Sequence, residues 1–211
     1  MTLDPTTEPG APHMPSRADR IGITIFMGAG LAIIVWSIVS AVIRIIEVAG
    51  GASTRVLAEF AGTIAQAPIG PGGAAVDVEL DRAVLRTSEL PTFSIVSIVL
   101  QQVAVTASIV VVVTCLLLLS RSLLKGMIFN RRNSWLVGVA SIVGLLGAAA
   151  GPFFSNMAAN GAFAAISGGD FENVVMTIDV LPYVLGAFIV AIIGTAFTIG
   201  ERLQRDTTGL V

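Results

Sequence analysis

The sequence predicts an all-α membrane protein with four transmembrane helices and a small extracytoplasmic segment, and three observations carry that prediction. Long stretches without charge occur at residues 21–43, 91–120, 133–169 and 180–200. Each can supply the roughly 20 mostly apolar residues that a helix needs to cross a hydrocarbon core about 30 Å thick. Arg121, Lys125, Arg131 and Arg132 stand between the second and third stretches with no acid among them. Finally, 55% of the residues are hydrophobic and 12% charged, too little polar surface to cover a soluble globule of 211 residues.

The elements follow in chain order. Residues 1–18, rich in Pro and Thr without apolar periodicity, read as a disordered cytoplasmic tail. His13, the single histidine, lies there without metal-ligating neighbours. The four-helix domain covers 19–200, with spans at about 21–45, 93–120, 135–156 and 180–200. The first stretch, 23 residues long, exceeds the 7–15 apolar residues of a signal peptide and reads as a retained anchor. Arg44 and Glu47, three residues apart at its end, share a helix face, where they can pair or where Arg44 can meet a lipid phosphate.

The connection at 46–90 is too long for a turn. Over 53–64, Val56, Leu57, Phe60, Ala61 and Ile64 fall on one helical face, predicting a short helix lying on the membrane surface. Pro68, Pro71 and the glycines around them break the chain. Alternation of Val76, Val78 and Leu80 with Asp77, Glu79 and Asp81 predicts a strand, with 83–87 as a second extended run able to pair with it in a hairpin.

Ser88 or Glu89 can cap the second helix ahead of Pro91, and Asp179 the fourth, with Pro182 in its first turn. Residues 109–119 are apolar on every side except for Thr114. Cys115, the single cysteine, is a packing residue there. On the third span Gly144, Gly147, Ala148 and Gly151 form a small-residue face, matched on the fourth by Ala187, Ala191 and Thr195; such faces let helices, or two copies of the chain, approach closely. Pro152 is expected to kink or end the third helix, fraying it through 153–160. Residues 201–211 read as a cytoplasmic tail.

Orientation follows from the excess of Lys and Arg in cytoplasmic connections. With both tails inside, eight basic residues lie on the inner side, while Arg44, Arg55, Arg82 and Arg86 sit outside among six acids. Eleven Arg against one Lys point to a GC-rich bacterial genome, hence to a bacterial plasma membrane.

Transport or catalysis inside a bilayer depends on buried ionisable or nucleophilic groups. The spans offer only Gln101, Gln102, Thr106, Ser108, Thr114, Ser37, Ser40 and Ser141, and no Asp, Glu, Lys or His at midplane depth. Hydroxyls that bond a carbonyl one turn back and Gln that bridges helices account for these as structural groups. No catalytic, metal-binding or cofactor-binding set can be assembled, and no cofactor is expected.

The connection RSLLKGMIFNRRNSW carries Gly126-x-x-Phe129-x-x-x-Asn133 between the second and third spans. This resembles the signature loop of the DUF2975 family of bacterial membrane proteins, whose members commonly read Gly-x-Pro-Phe-x-x-x-Asn; Ile128 stands here where Pro is usual. The polar ending from Gly200 is similar to that of many actinobacterial members. The resemblance implies four helices, no established activity, and genes often found beside a small helix-turn-helix regulator. In physical terms Gly126 suits a turn, Phe129 the acyl boundary, and Asn133 or Ser134 a helix cap, while Arg131 and Arg132 would meet anionic headgroups at about 1 kcal/mol each.

The expected function is therefore non-enzymatic sensing or regulation, with the outer segment as input and the basic loop or tail as output. The alternative is a small transporter or transporter subunit with a polar path near Gln101 and Gln102. Expected partners are the lipid bilayer, a second copy through the small-residue faces, and a cytoplasmic regulator that docks on Arg121, Lys125, Gly126, Phe129, Arg131, Arg132 and Asn133. Direct nucleic-acid binding is not expected.

Overall fold

A computed structural model describes residues 16–51, 54–87, 90–126, 129–169, 171 and 179–208. Four helices and one hairpin follow in the order α1 (Arg17–Ala49), β1 (Thr54–Ala67), β2 (Val76–Thr87), α2 (Thr92–Leu124), α3 (Arg131–Ser167) and α4 (Val180–Thr208). All four helices are long and apolar enough to cross a membrane. The tail at 1–15, including His13, the caps proposed at Ser88 and Glu89, and Ile128 lie outside the described residues.

The helices pack as sequential antiparallel neighbours. Gly30 of α1 meets Val113 and Leu117 of α2; Gly144 and Gly151 of α3 meet Val112 and Val105 of α2; Gly186 of α4 meets Leu145 of α3. Gly147 lies against Ser108, where any side chain would overlap it. The small-residue face of α3 thus receives α2, not the stripe of α4 that the sequence suggested as its match. Glycine lowers the helix surface where large side chains from α2 project, and close approach is what holds helices together where lipid removes the hydrophobic drive.

The helices outrun their apolar stretches. α1 begins at Arg17, because Ser16 and Asp19 form a reciprocal capping box, so residues 17 and 18 belong to the helix rather than to a disordered tail. The Ser16 hydroxyl and then its backbone N–H hold the Asp19 carboxyl below its ordinary range. α4 runs on to Thr208, so most of the expected tail is helical.

The largest correction in the helices concerns α3. It neither ends nor frays at Pro152 but continues to Ser167, closed by Gly168 in the left-handed conformation (φ 66°). A proline inside a helix deprives the carbonyl four residues back of its donor. Here that carbonyl belongs to Ala148, and the Tyr183 hydroxyl of α4 donates to it at 3.2 Å. One turn on, Gln101 donates through Nε2 to the Gly151 carbonyl at 2.8 Å, and Ser94 donates to that of Ala158 at 3.0 Å. The Tyr183 hydroxyl thus supplies the donor that lets a proline persist within a membrane helix, and the other two bonds tie α2 to α3.

The hairpin corrects two further expectations. Residues 54–67 form a strand, not a surface helix, and 83–87 continue the strand that starts at Val76 instead of folding back on it. β1 and β2 pair antiparallel from Thr54 opposite Thr87 to Ala67 opposite Val76. The segment satisfies both periods, since Val56, Ala58 and Phe60 also alternate. A partner strand decides the matter, because a helix of a dozen residues is marginal alone whereas a long ladder bonds every other residue. Between Glu59 opposite Arg82 and Thr63 opposite Leu80, three residues of β1 face Asp81 alone. This bulge passes through Gly62 at φ 68°, where a side chain would be strained. Gly70, Pro71 and two glycines of positive φ close the far end.

One face of the hairpin seats on the helix ends. Val56 and Ala58 are buried with Val48 of α1, Ile98 of α2, and Ala158, Ala159 and Phe163 of α3. Phe60 meets Phe163 edge-on at 5.1 Å, and Phe171 joins both rings. This is the main hydrophobic core of the described residues. Its α3 share lies beyond Pro152, with Ala158 and Ala159 in the stretch expected to fray and Phe163 past it.

Candidate functional site

Two regions hold the polar groups from which function can be built. One is a cavity at the hairpin end; the other is the rim of basic residues at the opposite end.

The cavity, about 270 Å³, lies where the base of the hairpin meets three helices. α1 contributes Arg44, β1 contributes Arg55, α2 contributes Gln101 and Gln102, and α3 contributes Ser155. Arg44 reaches it because α1 continues past its apolar stretch to Ala49, and it donates through Nη2 to the Arg55 carbonyl at 2.7 Å, tying helix to hairpin. Its other Nη lies 3.6 Å from Glu47, the expected pair; Glu47 is 53% exposed, so water weakens the attraction. Gln101 is engaged on the α3 backbone, whereas Gln102 has no hydrogen-bond partner among the described residues. The two adjacent glutamines therefore play different parts.

Deeper between α2 and α3 is a second crevice of about 320 Å³, lined by Val105, Ile109, Val112 and Val113 with Gly144 and Ser108. Ser108 donates to the Ala104 carbonyl one turn back, so the crevice is chemically apolar. Among the described residues no group of three His, Cys, Asp or Glu could hold a metal.

At the other end, Arg121, Lys125, Arg131 and Arg132 are all exposed, as are Arg17, Arg20 and Arg202. The antiparallel order brings these together from all four helices. Gly126 turns the chain at φ 72°, as its place in the loop requires. Phe129 packs across the Gly200 backbone and meets Phe197 at 5.6 Å, so it anchors the loop to α4. The cap of α3 is Asn130, whose side chain accepts from the Asn133 N–H at 2.8 Å, rather than Asn133 or Ser134. Asn133 is instead fully buried, and the Ser134 hydroxyl donates to Glu201 of α4 at 3.2 Å. The loop motif thus divides into Phe129 and Asn133, which face inward, and arginines that face out. The expected cap by Asp179 is present, its carboxylate accepting from the Leu181 N–H at 3.2 Å.

Sequence reading singled out Arg44, Gln101 and Gln102 but not Arg55 or Ser155. The latter two lay in segments read as a surface helix and a frayed end, so nothing local linked them to the glutamines.

No family model, curated protein or solved structure matches this chain.

Proposed function

We propose that this chain is a multi-pass protein of a bacterial plasma membrane, both tails cytoplasmic and the hairpin outside, that senses or regulates without catalysing a reaction. Membrane residence is supported by apolar side chains that point away from the fold: Trp36 is 75% exposed, Ile192 67% and Phe188 65%. A helix so clothed is unstable in water and at home in lipid. The basic rim fits the cytoplasmic side.

One observation carries the sensing role. The hairpin shares its buried core with the far end of α3, and α3 runs without a break to the basic loop. Displacement of the hairpin is thereby delivered to Arg131 and Arg132 through a single stiff element. The likeness of that loop to the DUF2975 family, whose genes often neighbour a small regulator, supports a cytoplasmic partner at the same place. Since α2 fills the small-residue face of α3, a second copy would pack on α4, where Ala191 and Thr195 remain open. Photo-crosslinkers placed at positions 125, 131 and 206 in cells should capture a discrete cytoplasmic partner. Absence of any captured protein at all three positions would remove this reading.

The transporter alternative draws on a separate observation, that both glutamines line the hairpin-end cavity. Its further path would have to run through the apolar crevice beside Ser108. Replacing both glutamines with Leu should then abolish flux of any transported solute.

A further inference from the structure

We propose that the cavity under the hairpin binds a phosphate-bearing anionic group, held by Arg44 and Arg55 with Gln102 and Ser155 as neutral hydrogen-bonding partners. Four independent features of the site converge on that chemistry.

The charge of the lining is one-sided. Arg44 and Arg55 border the cavity, and among the described residues no carboxylate does. Acidic groups of the hairpin lie further along it: Glu59 pairs with Arg82 at 3.1 Å, and Asp77 accepts from Gln66 at 3.3 Å. The base of the hairpin is therefore basic and its distal part acidic.

The strand register sets like charges together. Arg55 stands directly opposite Arg86. Like charges opposed across an antiparallel pair destabilise it, and among the described residues neither arginine forms an ion pair. Arg55 lines the cavity and Arg86 does not, so an anion bound there would offset the repulsion from the Arg55 side.

The donors come from separate elements and are not consumed by the fold. Arg44 uses one N–H on the Arg55 carbonyl and a weak pair with Glu47, and a guanidinium has five. Gln102 and Ser155 have no hydrogen-bond partners among the described residues. The polar residues of the lining come from α1, β1, α2 and α3. A phosphate can take two parallel N–H bonds from a guanidinium and still offer oxygens to the neutral donors.

The size fits a headgroup. A volume of about 270 Å³ falls just below the roughly 300 to 1,000 Å³ of sites for drug-sized ligands, enough for a phosphate with a glycerol-sized substituent. The same chemistry can arrive as a lipid headgroup or as a free phosphate ester.

The proposal rests on the membrane reading only where the ligand is a lipid, so one arm of its test avoids the bilayer. The full chain in uncharged, phosphate-free maltoside micelles is titrated calorimetrically with glycerol 1-phosphate. In parallel, retention of phosphatidylglycerol against phosphate-free galactosyl diacylglycerol is read by native mass spectrometry. Binding of either probe is expected; the soluble ester alone would identify a free phosphate compound, and the lipid alone a headgroup. Arg44→Gln should weaken binding at least tenfold and Gln102→Leu severalfold, while Arg202→Gln, at the opposite end, leaves it unchanged. Because Arg44 also tethers the hairpin, its variant is checked for helicity and monodispersity, and Gln102→Leu decides if it misfolds. The proposal fails if wild-type protein binds neither probe, if Gln102→Leu and a folded Arg44→Gln bind as wild type does, or if Arg202→Gln loses binding equally. None of these failures bears on whether the helices cross a membrane or which side the hairpin occupies.

Discussion

At the residue scale, Pro152 shows how one side chain can be answered by another on a different helix. Its missing N–H leaves the Ala148 carbonyl to the Tyr183 hydroxyl. Interhelical hydrogen bonds in membranes average about 0.6 kcal/mol and reach about 1.7. Tyr183→Phe should lower stability by an amount in that range, measured by unfolding in mixed micelles. In a Pro152→Ala background the backbone N–H at position 152 returns to the Ala148 carbonyl, and the same substitution should then have almost no effect. An equal loss in both backgrounds would show that the hydroxyl does not serve the proline's carbonyl. Gln101 and Gln102 make the complementary case. They are neighbours of identical chemistry and both line the cavity, yet a helix turns about 100° per residue, so Gln101 bonds to α3 while Gln102 keeps its donors for the cavity.

At the element scale, aromatic packing seats the hairpin on α3, and the ion pair between its own two strands adds little. Phe60 contacts both Phe163 and Phe171, whereas the pair between Arg82 and Glu59 leaves the arginine side chain 64% exposed. Aromatic pairs add about 0.5–1.5 kcal/mol beyond the area they bury, and exposed ion pairs typically contribute under about 1 kcal/mol. Phe60→Ala should therefore destabilise the hairpin by at least about 1 kcal/mol and speed its cleavage in limited proteolysis, while Arg82→Gln should barely change the rate. The opposite ranking would mean that the ion pair between the strands, not the packing of Phe60, keeps the hairpin from cleavage. The same comparison explains why the surface helix expected at 53–64 is a strand. Its apolar residues satisfy a helical stripe and a two-residue alternation alike, and the alternation prevails because β2 offers a ladder and α3 offers Ala158, Ala159 and Phe163 to bury against.

At the scale of the whole molecule, four antiparallel helices separate a basic rim from a hairpin with an acidic far end. The proposed topology is open to direct labelling, since Cys115 is the single cysteine and is buried. In a Cys115→Ala background, Ile69→Cys near the hairpin tip, where Ile69 is 70% exposed, should react in intact cells with a membrane-impermeant maleimide. Arg131→Cys should react only after permeabilisation. The reverse pattern would invert the orientation and place the basic rim outside. The proposed coupling between the ends would run through α3, whose 37 residues extend about 55 Å at 1.5 Å per residue, well beyond a hydrocarbon core of roughly 30 Å.

The sequence alone determined the helices, because an apolar stretch about 20 residues long has no other stable form in lipid, and backbone bonds within a helix need no distant partner. It also determined the turn at Gly126, the cap at Asp179 and the pairing of Arg44 with Glu47, all set by neighbours within four residues. Only the tertiary structure decided the rest. The passage of α3 through Pro152 needed a tyrosine 31 positions later, the strand at 54–67 needed β2, and the cavity needed Arg55 and Ser155 brought beside Gln102. Each depends on partners far apart in the chain, and local periodicity carries no record of such partners.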